Sequence, residues 1–204
     1  RSVTVRIWDL PTRLFHWGLL ACIAGLFTTA YVPGLSIEWH ARFGYGVLAL
    51  LVFRIVWGFV GGHWSRFASF MPTPRNLIAY LRGGADAAHV AGHSPLAGLS
   101  VLAMLLVLAA QVSTGLIGDD EIAFTGPLNR FVATSTGLAA TAWHKGVGQW
   151  LLVGLIVLHL GAIAYYALVR RNNLVAPMVH GDKAVPHPVA ASRDDLRVRL
   201  LALA

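Results

Sequence analysis

The chain has 204 residues, of which 56% are hydrophobic and only 12% are charged, and its mean hydropathy is +0.64. Soluble domains carry about 25% charged residues, so this composition excludes an ordinary soluble domain and indicates an integral membrane protein in contact with lipid. The net charge of +7 does not predict a nucleic-acid partner, because the basic residues lie between long apolar segments, as membrane orientation requires. The single cysteine, Cys22, excludes an internal disulfide and a thiolate-ligated cluster.

Four apolar segments are long enough to cross a bilayer, which takes about 20 helical residues. They are residues 14–32, 38–60, 96–117 and 143–169. Asp9, Pro11 and Thr12 are suited to begin the first helix. The pattern therefore predicts an all-α membrane protein, a four-helix bundle.

The connecting segments carry weaker signals. Residues 75–81 follow Pro72-Thr73-Pro74 and are predicted to form a short amphipathic helix at the surface. Residues 122–142 fit either a surface helix or a loop that folds over the bundle. We divide the chain into a transmembrane domain of residues 1–183 and a polar tail of residues 184–204. Residues 192–203 of the tail fit a surface amphipathic helix or a disordered segment.

Arginine and lysine are concentrated on one side of the predicted helices. They are Arg1, Arg6 and Arg13 in the N-terminal arm, Arg66, Arg75 and Arg82 in the second loop, and Arg170, Arg171 and Lys183 after the last helix. Because cytoplasmic segments of membrane proteins are enriched in these residues, both termini and the second loop are predicted to be cytoplasmic. The first and third loops are then predicted to lie outside.

Four histidines lie in or beside the apolar segments, at two predicted depths. His40 and His144 are near the outer ends of the second and fourth segments, whereas His16 and His159 belong to the inner half. His144 and His159 are 15 positions apart (159 − 144), roughly 22 Å of helix and roughly 60° around its axis. A haem iron with an imidazole on each face is six-coordinate and passes single electrons. The two depth-matched pairs therefore predict two haems in the bundle.

Each histidine also has a simpler interpretation. A histidine at the end of a span is often an interfacial residue with a polar tip, or donates an interhelical hydrogen bond worth about 0.6 kcal/mol. The inner pair has a further alternative, because His16 follows Arg13 by only three residues and its predicted depth matches that of His159 poorly. His63 and His93 are the alternative partners for His159.

Three basic residues near the predicted spans have two interpretations each. Arg42, Arg54 and Lys145 are candidates to pair with haem propionates, and ordinary interfacial anchoring is the alternative for each. Arg54 lies late in the second span, where a charge is costly in hydrocarbon. For Arg54 we expect anchoring, with the guanidinium extended outward to the interface.

Several motifs resemble those of a known family. They are VRIWDLPTRLFHW at residues 5–17, WHARFGY at 39–45, FRIVWGFVG at 53–61, HSPLAG at 93–98 and WHK at 143–145, followed by His159. Together they resemble the bacterial cytochrome b561 / nickel-iron hydrogenase b-type cytochrome family, over roughly residues 5–183.

The resemblance implies a four-helix cytochrome of the bacterial inner membrane with two non-covalent b haems. It implies His16, His40, His144 and His159 as the axial ligands, paired as above. It further implies electron exchange between quinone and a partner such as a hydrogenase or a c-type cytochrome, so an electron-transfer subunit is expected rather than a stand-alone enzyme. Some members oxidise superoxide, which makes a superoxide:quinone oxidoreductase the alternative function. The acidic run Asp119-Asp120-Glu121 favours docking of a basic partner over attraction of superoxide.

Overall fold

The computed structural model describes residues 2–84 and 91–203, and most of them are helical. In chain order the elements are β1 (Val3–Arg6), α1 (Leu10–Tyr31), α2 (Ile37–Val60), α3 (Phe67–Phe70), α4 (Pro74–Leu81), α5 (Pro95–Ile117), α6 (Thr134–Trp143), a π-helical turn (His144–Gly148), α7 (Gln149–Leu168), α8 (Val175–His180), β2 (Asp182–Val185) and α9 (Leu196–Leu201). Within the described residues, four helical segments are long and apolar enough to cross a membrane: α1, α2, α5 and the 35-residue stretch Thr134–Leu168. The predicted all-α membrane fold is thus confirmed.

The first spanning helix begins at Leu10, before the apolar segment that begins at residue 14. Asp9 caps it, because its Oδ1 accepts the Thr12 N–H at 2.8 Å, and Pro11 occupies the first turn, where no intrahelical N–H bond is needed. The early start places His16 inside the helix rather than at its entrance.

The helical stretch that contains the fourth predicted span begins nine residues before Trp143 (143 − 134), at Thr134, within the segment expected to be a surface helix or a loop. The sequence from Leu138 to Ala142 is rich in alanine, which favours helix strongly. The apolar pattern is weak there, so the sequence was interpreted as a connection. The structure joins this helix, α6, to α7 through the π-helical turn.

Two elements that sequence analysis did not predict join the ends of the chain. Strands β1 and β2 pair antiparallel, with Val3 opposite Val185, and β2 crosses the position at which the polar tail was divided from the transmembrane domain. Farther along the tail, the Ser192 N–H donates to the Arg6 carbonyl at 2.7 Å. The residues around 192–194 therefore lie against the N-terminal arm, and α9 follows them.

Of the three surface helices considered, the one after Pro72 is present as α4. Its N-cap is Thr73, whose Oγ1 accepts the Asn76 N–H at 3.2 Å. Two of its apolar side chains are exposed: Ile78 is 50% exposed and Leu81 is 67% exposed. Such a helix is suited to a membrane interface.

The chain divides into two compact units, each with its own core. The first comprises the described residues of Arg1–His16, Phe53–Leu102 and His159–Ala204, and its core includes Ile7, Trp8, Trp64, Ala91 and Val185. The second comprises Trp17–Val52 and Ala103–Leu158, and its core is formed by Val47, Leu51, Leu108 and Leu152. In the second unit Leu106 and Leu158 are 70% and 68% exposed, which a helix tolerates when its outer surface faces lipid.

Candidate cofactor sites

Within the second unit, His40 and His144 face each other. His40 lies in the first turn of α2, and His144 opens the π-helical turn. Their ring centroids are 6.2 Å apart and their planes are inclined by 73°. Both side chains are partly buried. The structure therefore brings this predicted pair together from two different spanning helices.

Each of these two imidazoles is oriented by a neighbouring helix through its Nδ1 atom. The Nδ1 of His40 lies 3.1 Å from the Leu26 carbonyl of α1, and the Nδ1 of His144 lies 2.9 Å from the Gln111 carbonyl of α5. Because a carbonyl only accepts, Nδ1–H is the donor in both contacts and Nε2 keeps its lone pair. This is the arrangement in which a histidine is prepared to ligate a metal through Nε2.

A threonine one helical turn farther along supports each contact. Thr29 Oγ1 lies 3.3 Å from His40 Nδ1, and Thr114 Oγ1 lies 3.2 Å from His144 Nδ1. Each hydroxyl also donates to a carbonyl of its own helix, at 2.7 Å in both cases. Its oxygen is thus left to accept from the imidazole. Sequence analysis missed both threonines, because a threonine in a spanning helix usually only bonds back to its own backbone.

The π-helical turn sets the position of His144. Gly146 interrupts the helical dihedrals, with φ −104° and ψ −110°. The His144 carbonyl accepts Gln111 Nε2 at 3.2 Å. A Cβ atom at Gly148 would lie 2.6 Å from Gln111 Oε1 and would also overlap the Trp143 ring, so glycine is required there. This local widening of the helix is frequent at functional sites.

The same two histidines line a cavity of about 540 Å³ in the second unit, within the range of cofactor sites. Polar groups also line it. Gln149 Nε2 donates to the Tyr31 hydroxyl, and Lys145 Nζ lies 3.8 Å from Asp120 Oδ2. The cavity therefore combines apolar walls with a few charged and hydrogen-bonding side chains.

Asp120 keeps its charge in this setting. The N–H groups of Phe124, Ala123 and Ile122 donate to its carboxylate, and together with Lys145 they lower the pKa of Asp120 to about 2. The carboxylate is therefore ionised at any physiological pH.

In the first unit, His16 and His159 form a second pair. His16 comes from α1 and His159 from α7, and their ring centroids are 6.4 Å apart with planes inclined by 53°. The two alternative partners considered for His159 pack on other aromatic rings. The His63 ring packs on Trp64, with centroids 4.9 Å apart. The His93 ring packs between the aromatic rings of the N-terminal arm and of α3.

Both separations fit an iron porphyrin held between two imidazoles. Two metal–nitrogen bonds of about 2 Å each, together with the offset of each nitrogen from its ring centre, place the centroids of trans imidazoles roughly 6 Å apart. A porphyrin brings its own ring of nitrogen ligands, so two imidazoles are all that the protein adds. In the part of the chain that the structure describes, no cluster of three or more His, Cys, Asp or Glu side chains is arranged for a metal.

The basic residues have different positions. Arg42 is exposed, with its guanidinium carbon 4.8 Å from the centre of the Trp39 ring. Lys145 is also exposed and contacts Asp120. The expectation that Arg54 extends outward is wrong, because Arg54 is only 4% exposed and stacks over Phe67. The segment after α2 folds back over the side chain, which a pattern along one helix does not reveal.

Four apolar helices that carry two facing imidazole pairs indicate the class of membrane cytochromes. The family model described as prokaryotic cytochrome b561 matches residues 7–181. The chain belongs to this family, as its motifs suggested. It is a multi-pass membrane protein of the b-type cytochromes, for which the cofactor is haem b and the activity is electron transfer.

Three relatives illustrate the similarity. The probable Ni/Fe-hydrogenase 1 B-type cytochrome subunit of Escherichia coli (strain K12) is 23% identical, over 86% of this chain and 88% of that protein. The probable Ni/Fe-hydrogenase B-type cytochrome subunit of Azotobacter vinelandii is 26% identical, over 89% of each chain. The corresponding protein of Azotobacter chroococcum mcd 1 is 25% identical, again over 89% of each chain.

Proposed function

We propose that the chain is a dihaem cytochrome, in which His40 and His144 ligate one haem b and His16 and His159 ligate the other. The proposal rests on the two distances between ring centroids, 6.2 Å for His40 and His144 and 6.4 Å for His16 and His159. One pair of histidines at this distance would be unremarkable, but two such pairs in one chain suggest two sites of the same kind. The cavity beside His40 and His144 adds the space that a flat macrocycle needs.

When bound, haem b supplies an iron that exchanges one electron between its ferric and ferrous states. The protein's part would be to hold each haem between two imidazoles, His40 with His144 and His16 with His159. The hydrogen bonds at Nδ1 of His40 and His144 fix the ring orientation and raise the basicity of Nε2. Such a site is suited to electron transfer rather than to oxygen chemistry.

The ligand assignment is tested by counting haems in purified variants. His144→Ala is expected to bind one haem per chain instead of two, because one axial ligand of the His40 site is missing. His159→Ala should lose the other haem. His63→Ala is the matched control, since His63 is exposed, and it should retain both. A His144→Ala protein that keeps two haems with unchanged spectra would refute the assignment.

The redox partner is proposed to be a hydrogenase-like protein, and the electrons are proposed to reach quinone. Relatives with 23–26% identity are named as probable hydrogenase cytochrome subunits, which supports the first half. Oxidation of hydrogen releases two electrons and two protons, and reduction of a quinone to a quinol takes up the same number. A chemically reduced sample should be reoxidised by a water-soluble quinone analogue, and an unchanged reduced spectrum would exclude the quinone role.

The acidic loop after α5 supports protein docking over superoxide oxidation. Glu121 is exposed, and Asp120, which lines the cavity, keeps its negative charge through backbone hydrogen bonds. A negative surface repels an anion such as superoxide and attracts a basic protein. The encounter rate with such a partner should fall as ionic strength rises.

We also propose an inner-membrane location with both termini in the cytoplasm. The support is the distribution of arginine and lysine along the sequence. Accessibility labelling of single cysteines placed at Ser2 and at Glu121, in a Cys22→Ser background, distinguishes the two orientations. The label should reach residue 121 from the periplasm, and labelling of residue 2 from that side would reverse the topology.

A further inference from the structure

Arg54 is a buried cation, and one nitrogen of its guanidinium has no hydrogen-bond partner among the residues that the structure describes. It is 4% exposed, and its guanidinium carbon lies 4.7 Å from the Phe67 ring centre and 5.7 Å from that of Phe70. Among the described residues, its Nη1 atom has no acceptor. Burying a guanidinium is costly unless an acceptor with negative charge compensates it.

The nearby carboxylate does not fill this role. Asp9 acts electrostatically on Arg54, but its two oxygens already accept four hydrogen bonds. The donors are the Thr12 N–H, Trp57 Nε1, the Gly62 N–H and the Ser65 hydroxyl. Asp9 therefore ties the start of α1 to the segment after α2, and Arg54 still needs an acceptor.

Two more basic groups surround the same place. His93 lies within electrostatic reach of Arg54 and Lys183, and its buried Nδ1 atom has no partner among the residues that the structure describes. Burial, followed by these two cations, lowers the pKa of His93 to about 3, so His93 is neutral. Lys183 donates to the Ala91 carbonyl at 3.3 Å. The cluster is thus positively charged and partly unsatisfied.

The cluster is adjacent to the second histidine pair. His93 is also within electrostatic reach of His159. On the other side, Phe15 precedes His16 and packs against Phe53, which precedes Arg54, with ring centroids 6.3 Å apart. The guanidinium of Arg54 therefore lies in the same unit as His16 and His159, and His93 is within electrostatic reach of both Arg54 and His159.

We infer that Arg54 binds a carboxylate, and that this carboxylate is a propionate of the haem held by His16 and His159. The inference rests on the proposed function, because it requires that haem. Arginine offers a planar set of N–H donors that matches a carboxylate, and such pairs are strong where water is excluded. Lys183 adds a second positive charge near the same place, whereas His93 is neutral.

A redox titration of the dihaem protein tests the inference. Arg54→Gln removes the charge, so the ferric state of the adjacent haem is favoured and its midpoint potential should fall, while the potential of the other haem stays the same. Arg54→Lys keeps the charge without the fork of donors, and the same haem should shift in the same direction but less. Arg75→Gln, an exposed residue of α4, is the matched control and should change neither potential. Unchanged potentials in both Arg54 variants would overturn the inference.

A second arm identifies the anion. Wild-type and Arg54→Lys proteins are loaded with haem dimethyl ester, in which both propionates are blocked. The two proteins should then have the same potential, because both keep the positive charge and no carboxylate remains for the donors of Arg54 to bind. An Arg54→Lys shift of the same size with the esterified haem would overturn the inference, because Arg54 would then be paired with a free anion or a lipid phosphate.

The proposed function and the inference about Arg54 can fail separately. A haem count other than two in the wild-type protein removes the proposed function, and the inference with it. A count of two, halved by His159→Ala, together with potentials that do not respond at residue 54, removes only the inference.

Discussion

Gln111 donates a hydrogen bond from its side-chain Nε2 to the main-chain carbonyl of His144, at 3.2 Å. The residue thus serves His144 twice, because its own carbonyl accepts from the imidazole Nδ1. The second bond satisfies a carbonyl at the point where the last spanning helix widens into a π-helical turn. One residue of α5 therefore holds both the backbone and the ring of His144.

We predict that Gln111→Leu destabilises this site without removing it. The His144 carbonyl loses a partner in a partly buried position, which costs about 1–3 kcal/mol, whereas the backbone bond to the ring stays. Thermal release of haem, followed by the Soret band, should occur at a lower temperature than in the wild type. Ser113→Ala, an exposed position on the same helix, is the control and should have no effect.

The two threonines at the His40–His144 site are predicted to influence haem affinity. Thr29→Val and Thr114→Val keep the shape of the side chain but remove the oxygen near Nδ1. Loss of such a supporting contact typically weakens metal binding by about 10-fold or more. The dissociation constant of that haem, measured by transfer to apomyoglobin, should rise in each variant.

The chain contains a close control for this experiment. Thr28 also donates to a carbonyl of its own helix, at 2.8 Å, but it is exposed, and no hydrogen bond joins it to a histidine among the described residues. Thr28→Val should therefore keep the wild-type haem affinity. Equal effects of Thr28→Val and Thr29→Val would show that the hydroxyl acts on the helix and not on the ligand.

Asp9 is predicted to be a main determinant of stability at the start of α1. Asp9→Asn places an amide group among donors such as Trp57 Nε1 and the Ser65 hydroxyl. Because hydrogen bonds to a charged group are worth about 1.5–3 kcal/mol each, the variant should lose at least about 2 kcal/mol of unfolding free energy. Denaturation in mixed micelles measures this loss. Asp195→Asn, at an exposed helix cap, should be nearly neutral.

The attachment of the C-terminal tail is predicted to depend on pH through Asp194. Burial tends to raise the pKa of Asp194, but hydrogen bonds from Arg199, the Leu10 N–H and Arg6 outweigh it, so the pKa lies below its ordinary value. The contribution to stability is complete above the unfolded pKa of about 3.9. It is lost as pH falls through the lower folded-state pKa.

The tail can be followed with a spin label at Leu203, introduced as Leu203→Cys in a Cys22→Ser background. The label should be restricted from pH 7 down to about pH 4, near the unfolded pKa, and become mobile below that. In an Asp194→Asn variant it should be mobile at every pH. A label that stays restricted in the variant would show that other contacts hold the tail.

The sequence by itself determined the class of protein and the four histidines to consider. The low proportion of charged residues and the four long apolar segments predict membrane-spanning helices, because a helix satisfies its backbone hydrogen bonds within the segment. The apolar segments placed α2 and α5 within a residue of their observed starts, at Ile37 and Pro95. The motifs around His16 and His144 identified the family that the comparison confirmed.

Tertiary structure decided which groups meet, because those contacts join residues distant in sequence. The tail returns to the N-terminal arm through Asp194 and Arg6, 188 positions apart, and no local pattern predicts such a pairing. Arg54 was expected at the interface, but its burial depends on residues that follow the helix. The carbonyls that orient His40 and His144 belong to neighbouring helices. Every residue has a backbone carbonyl, so the sequence does not show which carbonyl accepts a particular hydrogen bond. Composition and the pattern of apolar residues show which segments form helices in contact with lipid. A ligand site depends on the distances between side chains of different helices, and these patterns do not contain that information.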